Sequence, residues 1–147
     1  PVMIGGGAKR ILGIAGRHAD IVSINFNNSA GKIGPEGVGS GTSAGTLQKL
    51  EWIKAGAGDR FSEIEIEIAA YFTVVTDHSD VVANEFAKLF NLSSSEILDH
   101  PHCLIGQTSE IIERIQQRRE EFGINYITFG GAAIDDVAPI VEALSGL

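Results

Sequence analysis

The sequence predicts an α/β fold of four βα units in succession, and three observations predict it. Short β-branched or apolar runs stand at residues 2–4, 20–25, 64–76 and 124–129. Apolar residues at helical spacing follow each of them. Glycine runs close the first and last of these strands, at Gly5-Gly6-Gly7 and Gly130-Gly131. Strands that alternate with helices pair in parallel through right-handed crossovers, with the helices outside the sheet.

The first strand opens the chain at Pro1-Val2-Met3-Ile4, as expected of a boundary placed just ahead of a strand. From Lys9 the apolar positions Ile11, Leu12, Ala15 and Ala19 predict a helix, and DIVSIN predicts the second strand. Residues 26–45 are rich in Gly, Ser and Asn, so a long flexible loop without an element of its own is expected there, poorly ordered until a ligand binds. Leu47, Leu50 and Ile53 resume helical spacing.

Ile64, Ile66 and Ile68 alternate with Glu63, Glu65 and Glu67, and the run stays apolar through Val75, predicting one long third strand. The three glutamates read as its solvated face. Ser79 or Asp80 is expected to cap the next helix, with Val82, Phe86, Leu89 and Phe90 on its buried side. Thr108 is the expected cap of a further helix lined by Ile111, Ile112, Ile115 and Phe122 and stopped by Gly123. The last strand, INYITF, leads into a helix lined by Ile134, Val137, Ile140, Val141 and Leu144, with Pro139 expected near its first turn.

Composition narrows the function. With 147 residues, 44% of them hydrophobic, the chain is long enough to bury a core as one unit spanning 1–147. A net charge of −8 argues against a nucleic-acid partner, because such binding draws on clustered Lys and Arg. No apolar stretch is long enough to span a membrane, and a cytoplasmic protein is expected. The lone Cys103 has no disulfide partner and reads as a small buried hydrophobe.

In parallel βα folds, ligands gather at the carboxyl ends of the strands. Gly5-Gly6-Gly7-Ala8 lies there and opens onto a helix N-terminus, where free N–H groups and the helix dipole suit a phosphate, with Lys9 and Arg10 adding positive charge. A tight turn is the alternative for this loop. On the phosphate reading, valine at Gly6 or Gly7 is expected to weaken anion binding and leave the fold largely intact. Gly130-Gly131 is a second candidate, with a tight turn favoured, and His78 follows the third strand on the same side as a possible ligand contact. His18 reads as a partner of its helix dipole, and His100 and His102 read as turn or surface. No metal site is expected, and no residue is assigned as catalytic.

A complete (β/α)8 barrel takes about 250 residues, so four βα units in this length match half of one. An open four-stranded sheet is the structural alternative. The segment PVMIGGGAKRILGIAGRHADIVSIN resembles the second half of luciferase-like monooxygenases. LDHPHCLIGQTSEIIERIQQRREEFGINYITF is similar to the closing region of their deazaflavin-dependent members. The resemblance implies the C-terminal half of a (β/α)8 TIM barrel whose Gly5–Arg10 loop holds the phosphate of coenzyme F(420) or FMN in an oxidoreductase acting on a small organic substrate. It also implies that the strand supporting the cofactor ring and most acid/base residues lie in a missing N-terminal half-barrel. Gly130-Gly131-Ala132 departs from the polar residues that relatives often carry there.

Alternative readings are a phosphate-binding barrel of another class, using Gly130-Gly131 for a sugar phosphate, and a non-catalytic half-barrel that assembles with a partner. Half a barrel leaves two strand edges unpaired, so either the missing half or a homodimer partner is expected.

Overall fold

The computed structural model describes residues 1–28, 31 and 33–146. The four expected strands form one parallel sheet, β1 (Met3–Gly6), β2 (Ile21–Ile24), β3 (Glu65–Ala70) and β6 (Ile124–Phe129), side by side in that order. Ile4, Val22, Ile66 and Ile124 form one row across it, and Gly5, Ser23, Glu67 and Tyr126 form the next. Successive residues of a strand point to opposite faces, so the two rows belong to different faces.

One face is dry. Val22, Ile24, Ile66 and Ile68 meet Leu12 and Ala15 of α1 (Lys9–His18), Leu50 and Ile53 of α3 (Ser43–Ala57), and Phe122 of α6 (Thr108–Phe122). Burying each large aliphatic side chain there contributes about 1.5–3 kcal/mol. The other face carries Ser23, Glu67 and Tyr126, and no described helix packs an apolar cluster against it.

The long third strand is divided. It breaks at Tyr71, whose N–H turns back to the Ala69 carbonyl at 3.0 Å, and the chain continues as β4 (Phe72–Val75) in a separate sheet. There β4 pairs in parallel with β5 (Cys103–Gly106), a strand that the sequence reading did not anticipate. The run from Ala69 to Val75 contains no glycine or proline to mark this break.

The expected featureless loop also needs correction. Although Ser29, Ala30 and Lys32 lie outside the described residues, the same stretch holds a short helix, α2 (Pro35–Gly39), and buries Phe26 and Val38. These join Ala83, Ala87 and Phe90 of α4 (Ser79–Phe90) and Ile97 of α5 (Ser94–Asp99) in a second cluster. Phe26 and Val38 thus bury apolar surface within a stretch otherwise rich in Gly, Ser and Asn. On α4 itself, Leu89 is 61% exposed and Ala83 and Ala87 occupy the buried face, with His78 rather than Ser79 or Asp80 at the N-cap. Gln107, not Thr108, precedes α6, and its N–H is taken by the Glu110 carboxylate at 2.8 Å. In α7 (Ile134–Leu144), Val137 and Ile140 are buried, Ile134 is 82% exposed, and Pro139 sits well inside the helix.

Three buried polar side chains tie the second sheet to the first. Of the turn or surface expected for His100 and His102, the turn is found at residues 101 and 102 but both imidazoles are fully buried, because the chain between α5 and β5 runs beneath Phe26. His102 donates from Nδ1 to the Ala69 carbonyl at 2.8 Å, at the strand break. His100 donates from Nε2 to the Val38 carbonyl at 2.9 Å and accepts the His102 N–H on Nδ1 at 3.2 Å. Arg118 of α6 reaches the carbonyls of His100 at 2.9 Å, Pro101 at 3.2 Å and Cys103 at 2.8 Å. Burial lowers its pKa to about 10, and it stays charged in neutral solution.

Burial also lowers the imidazole pKa values, to about 4 for His100 and about 3 for His102, from an ordinary 6.5. The folded state therefore binds fewer protons than the unfolded chain below pH 6.5, and stability is lost as pH falls through that value toward the folded pKa values. Urea denaturation is expected to show a loss of at least about 3 kcal/mol between pH 6.5 and pH 4 from these two groups. A flat profile over that window would show that the imidazoles are hydrated. Arg118→Ala leaves three carbonyls without their shared donor and is expected to cost about 2–4 kcal/mol by the same assay.

Candidate functional site

The glycine loop lies where the sequence places it, at the carboxyl end of β1 and the start of α1. Gly5 and Gly6 close the strand, Gly7 and Ala8 form the turn, and Lys9 and Arg10 are exposed in the first helical turn. Ala8 at the N-cap supplies no side-chain acceptor, and the first turn holds no acidic residue. The leading N–H groups of α1 therefore lack a side-chain cap, a condition that favours an anion.

The reason for glycine at these positions differs from the one expected. A Cβ on Gly7 would fall on the Phe26 carbonyl, inside contact distance, and one on Gly6 would fall on the Ile11 side chain. One on Gly5 would lie 2.9 Å from Asn25 Nδ2. The protein's own atoms occupy this space, so valine at Gly7 must displace the backbone after β2. The expectation that such a variant leaves the fold largely intact is therefore corrected.

Beneath the loop, Asn25 forms a hub at the carboxyl end of β2. Its N–H donates to the Gly6 carbonyl at 2.9 Å, and its own carbonyl accepts the Lys49 ammonium at 2.8 Å. Its Oδ1 accepts the Tyr71 hydroxyl at 2.7 Å, while Nδ2 donates to Ser23 Oγ at 3.2 Å. Lys49 is 2% exposed, and burial lowers its pKa to about 8. Burial, and then the negative charge of Glu67, raise the Tyr71 pKa. The hub thus holds a buried cation and a phenol at the carboxyl end of β2, next to the glycine loop, and the Glu67 carboxylate lies close enough to Tyr71 to act on its hydroxyl.

Glu67 is 3% exposed, and its Oε2 has no hydrogen-bond partner among the described residues. It does not lie on a solvated face, whereas Glu63 and Glu65 are exposed as expected. The register shifts between Ile66 and Glu67, where Asn125 is the extra residue of β6 and its Oδ1 accepts the Ile66 N–H at 3.0 Å. Sequence reasoning missed this group. Its one legible signal is Lys49, which shares the spacing of Thr46, Leu50 and Ile53 on the buried face of α3, while Leu47 points outward.

The remaining candidates lie elsewhere. His78 is exposed at the start of α4, beyond the two-stranded sheet, and its backbone N–H is bonded to Thr76 Oγ1 at 3.0 Å. Gly130 donates to the Ala70 carbonyl at 3.0 Å, and Gly131 turns with φ 78° against Tyr71. A left-handed turn accounts for glycine at that position. Among the described residues, no group of three or more His, Cys, Asp or Glu could hold a metal ion, and no helix is long and apolar enough to cross a membrane.

No known family profile matches the chain, and no curated protein matches its sequence. Solved structures do match. The chain is similar to the coenzyme F(420)-dependent tetrahydromethanopterin reductase of Methanopyrus kandleri, at TM-score 0.62 and 14% identity over 98% of this chain and 49% of that one. It is also similar to an F(420)-dependent secondary alcohol dehydrogenase in complex with an F(420)-acetone adduct, at TM-score 0.59 and 16% identity over 98% and 47%. A riboflavin lyase solved with modified FMN and riboflavin matches at TM-score 0.56 and 13% identity over 96% and 42%. These enzymes have the luciferase-like barrel fold, and the chain spans about half their length, so its fold is that of one part of such a barrel.

Proposed function

We propose that the chain is the phosphate-binding half of a barrel oxidoreductase that uses coenzyme F(420) or FMN. The observation that carries this reading is the uncapped, cationic start of α1 at the carboxyl end of β1, in a fold shared with F(420)- and FMN-binding proteins. The residues fit a phosphate. Backbone N–H groups at the turn from Ala8 into α1 would hold its oxygens, and Lys9 and Arg10 would balance its charge. Such a cofactor supplies hydride or electron transfer when bound.

The chain's own part is orientation and electrostatics. Asn25 fixes the loop against β2 through the Gly6 carbonyl, and Lys49 holds a buried positive charge behind it. The Lys49 charge favours an anion at the site. The sugar-phosphate alternative at Gly130-Gly131 has less support, since turn geometry accounts for the glycine and no cation among the described residues is bonded there. We further propose that another half-barrel completes the site and supplies the groups near the cofactor ring, because the unpaired edges β1 and β6 leave the polar face of the sheet open.

Amide shifts followed by NMR during titration with inorganic phosphate, FMN and coenzyme F(420) test this reading. The largest shifts are expected at Ala8, Lys9 and Arg10, and the Lys9→Ala, Arg10→Ala double variant is expected to bind about tenfold more weakly, whereas His78→Ala is unchanged. Shifts centred on Gly130, or none at all, would move or remove the site. Gly7→Val is expected to lose at least about 3 kcal/mol of stability by urea denaturation through its clash with Phe26, while Gly6→Ala, opposed only by a side chain, loses about 1 kcal/mol. Full stability in Gly7→Val would return that glycine to a ligand role.

A further inference from the structure

Among the described residues, Lys49 is the cation buried behind the glycine loop. It is 2% exposed, and its ammonium donates to the Asn25 carbonyl at 2.8 Å. A neutral donor would satisfy a lone carbonyl at a smaller desolvation cost, so capping β2 does not by itself account for the charge. Asn25 connects that charge to the loop. Its N–H holds the Gly6 carbonyl at 2.9 Å, its Nδ2 lies 2.9 Å from where a Cβ on Gly5 would stand, and the next residue, Phe26, packs its carbonyl against Gly7. The loop is therefore seated on a residue whose own carbonyl rests on Lys49. A charge in such dry surroundings is screened less by solvent than those of the exposed Lys9 and Arg10.

The groups around Lys49 leave its proton as the one that moves just above neutral pH. His100 and His102, from the chain before β5, feel its charge, and both are already neutral above pH 6.5. Arg118 of α6 acts on those imidazoles and keeps its charge up to about pH 10. Tyr71, at the end of β3, donates to Asn25 Oδ1, and burial and Glu67 hold its proton past the ordinary phenol range. Arg60 bonds the Gly16 and Ala19 carbonyls at the far end of α1, and Glu51 and Lys54 of α3 pair with each other at the surface. No carboxylate among the described residues is bonded to Lys49. Burial brings its pKa down to about 8, so the charge is mostly present at pH 7 and mostly lost at about pH 9.5.

We infer that anion binding at the start of α1 is proton-linked through Lys49, which when charged seats Asn25 and favours the anion, and when discharged weakens both effects. This rests on the phosphate reading of the loop and adds to it a dependence on pH. By linkage, a bound anion raises the pH at which Lys49 gives up its proton, by the same factor through which that proton strengthens binding.

Carbon NMR of the Lys49 ε-carbon and the Ala8 methyl group, neither of which is lost to solvent exchange at high pH, tests this on the whole chain. The titrant is inorganic sulfate, whose charge is constant between pH 7 and pH 9.5, with FMN as a second ligand. Wild type is expected to bind sulfate about fivefold more weakly at pH 9.5 than at pH 7, and saturating sulfate is expected to move the Lys49 midpoint upward by about 0.7 pH unit. Lys49→Met, checked for folding by circular dichroism, is expected to bind at pH 7 about as weakly as wild type does at pH 9.5, and to show no step with pH. If that variant does not fold, the midpoint shift in wild type carries the test.

Affinity that stays level with pH while the Ala8 methyl still reports binding overturns the inference and leaves the phosphate reading standing. So does a Lys49 ε-carbon that does not titrate below pH 9.5, a midpoint that sulfate leaves in place, or a folded Lys49→Met variant that keeps the wild-type fall. No binding of sulfate or FMN at any pH overturns both.

Discussion

The hydrogen bonds of Asn25 are the constraint on which the candidate site depends. One residue joins β1 through the Gly6 carbonyl, α3 through Lys49, the end of β3 through Tyr71 and its own strand through Ser23. Each bond satisfies a polar group at or near the buried end of the sheet, where an unpaired group would cost about 1–3 kcal/mol. Lys49 depends on it most. An ammonium so deeply buried, with a carbonyl as its only hydrogen-bond acceptor among the described residues, keeps its charge only because that oxygen is held in place. The glycine loop is in turn shaped by what surrounds Asn25, since the atoms nearest Gly5 and Gly7 belong to Asn25 and Phe26.

The sheet has two different faces, and this difference organises the molecule. Its helix-covered face is a continuous aliphatic layer that needs no further partner. Its other face is polar and carries the buried Glu67, whose Oε2 has no partner among the described residues. A parallel sheet is normally covered on both faces. This chain covers only one with helices, and it matches about half of much longer barrel enzymes.

The two-stranded sheet is attached by polar rather than apolar logic. His100, His102 and Arg118 present donors to backbone carbonyls at the strand break, the α2 helix and the entrance to β5. Both imidazoles remain neutral because burial disfavours their charged forms. The thiol of Cys103, in the same region, is pushed up to about 12 by burial and is inert, in line with its reading as a small hydrophobe.

The sequence by itself determined the four parallel strands, the helices on one face and the place of the glycine loop, because each follows from local periodicity. Ile66 and Ile68 declare a strand, and Ile111, Ile115 and Phe122 declare a helix, whatever packs against them. Only the tertiary structure decided the rest. The break at Tyr71 is made at the Ala69 carbonyl, which is shared with His102, 33 residues further along the chain from Ala69. The burial of Glu67, Lys49 and His100 depends on neighbours from other elements, and a glutamate on an alternating strand looks solvated until those neighbours are known. Periodicity records which face a residue occupies along its own element, and it carries no information about what that face meets.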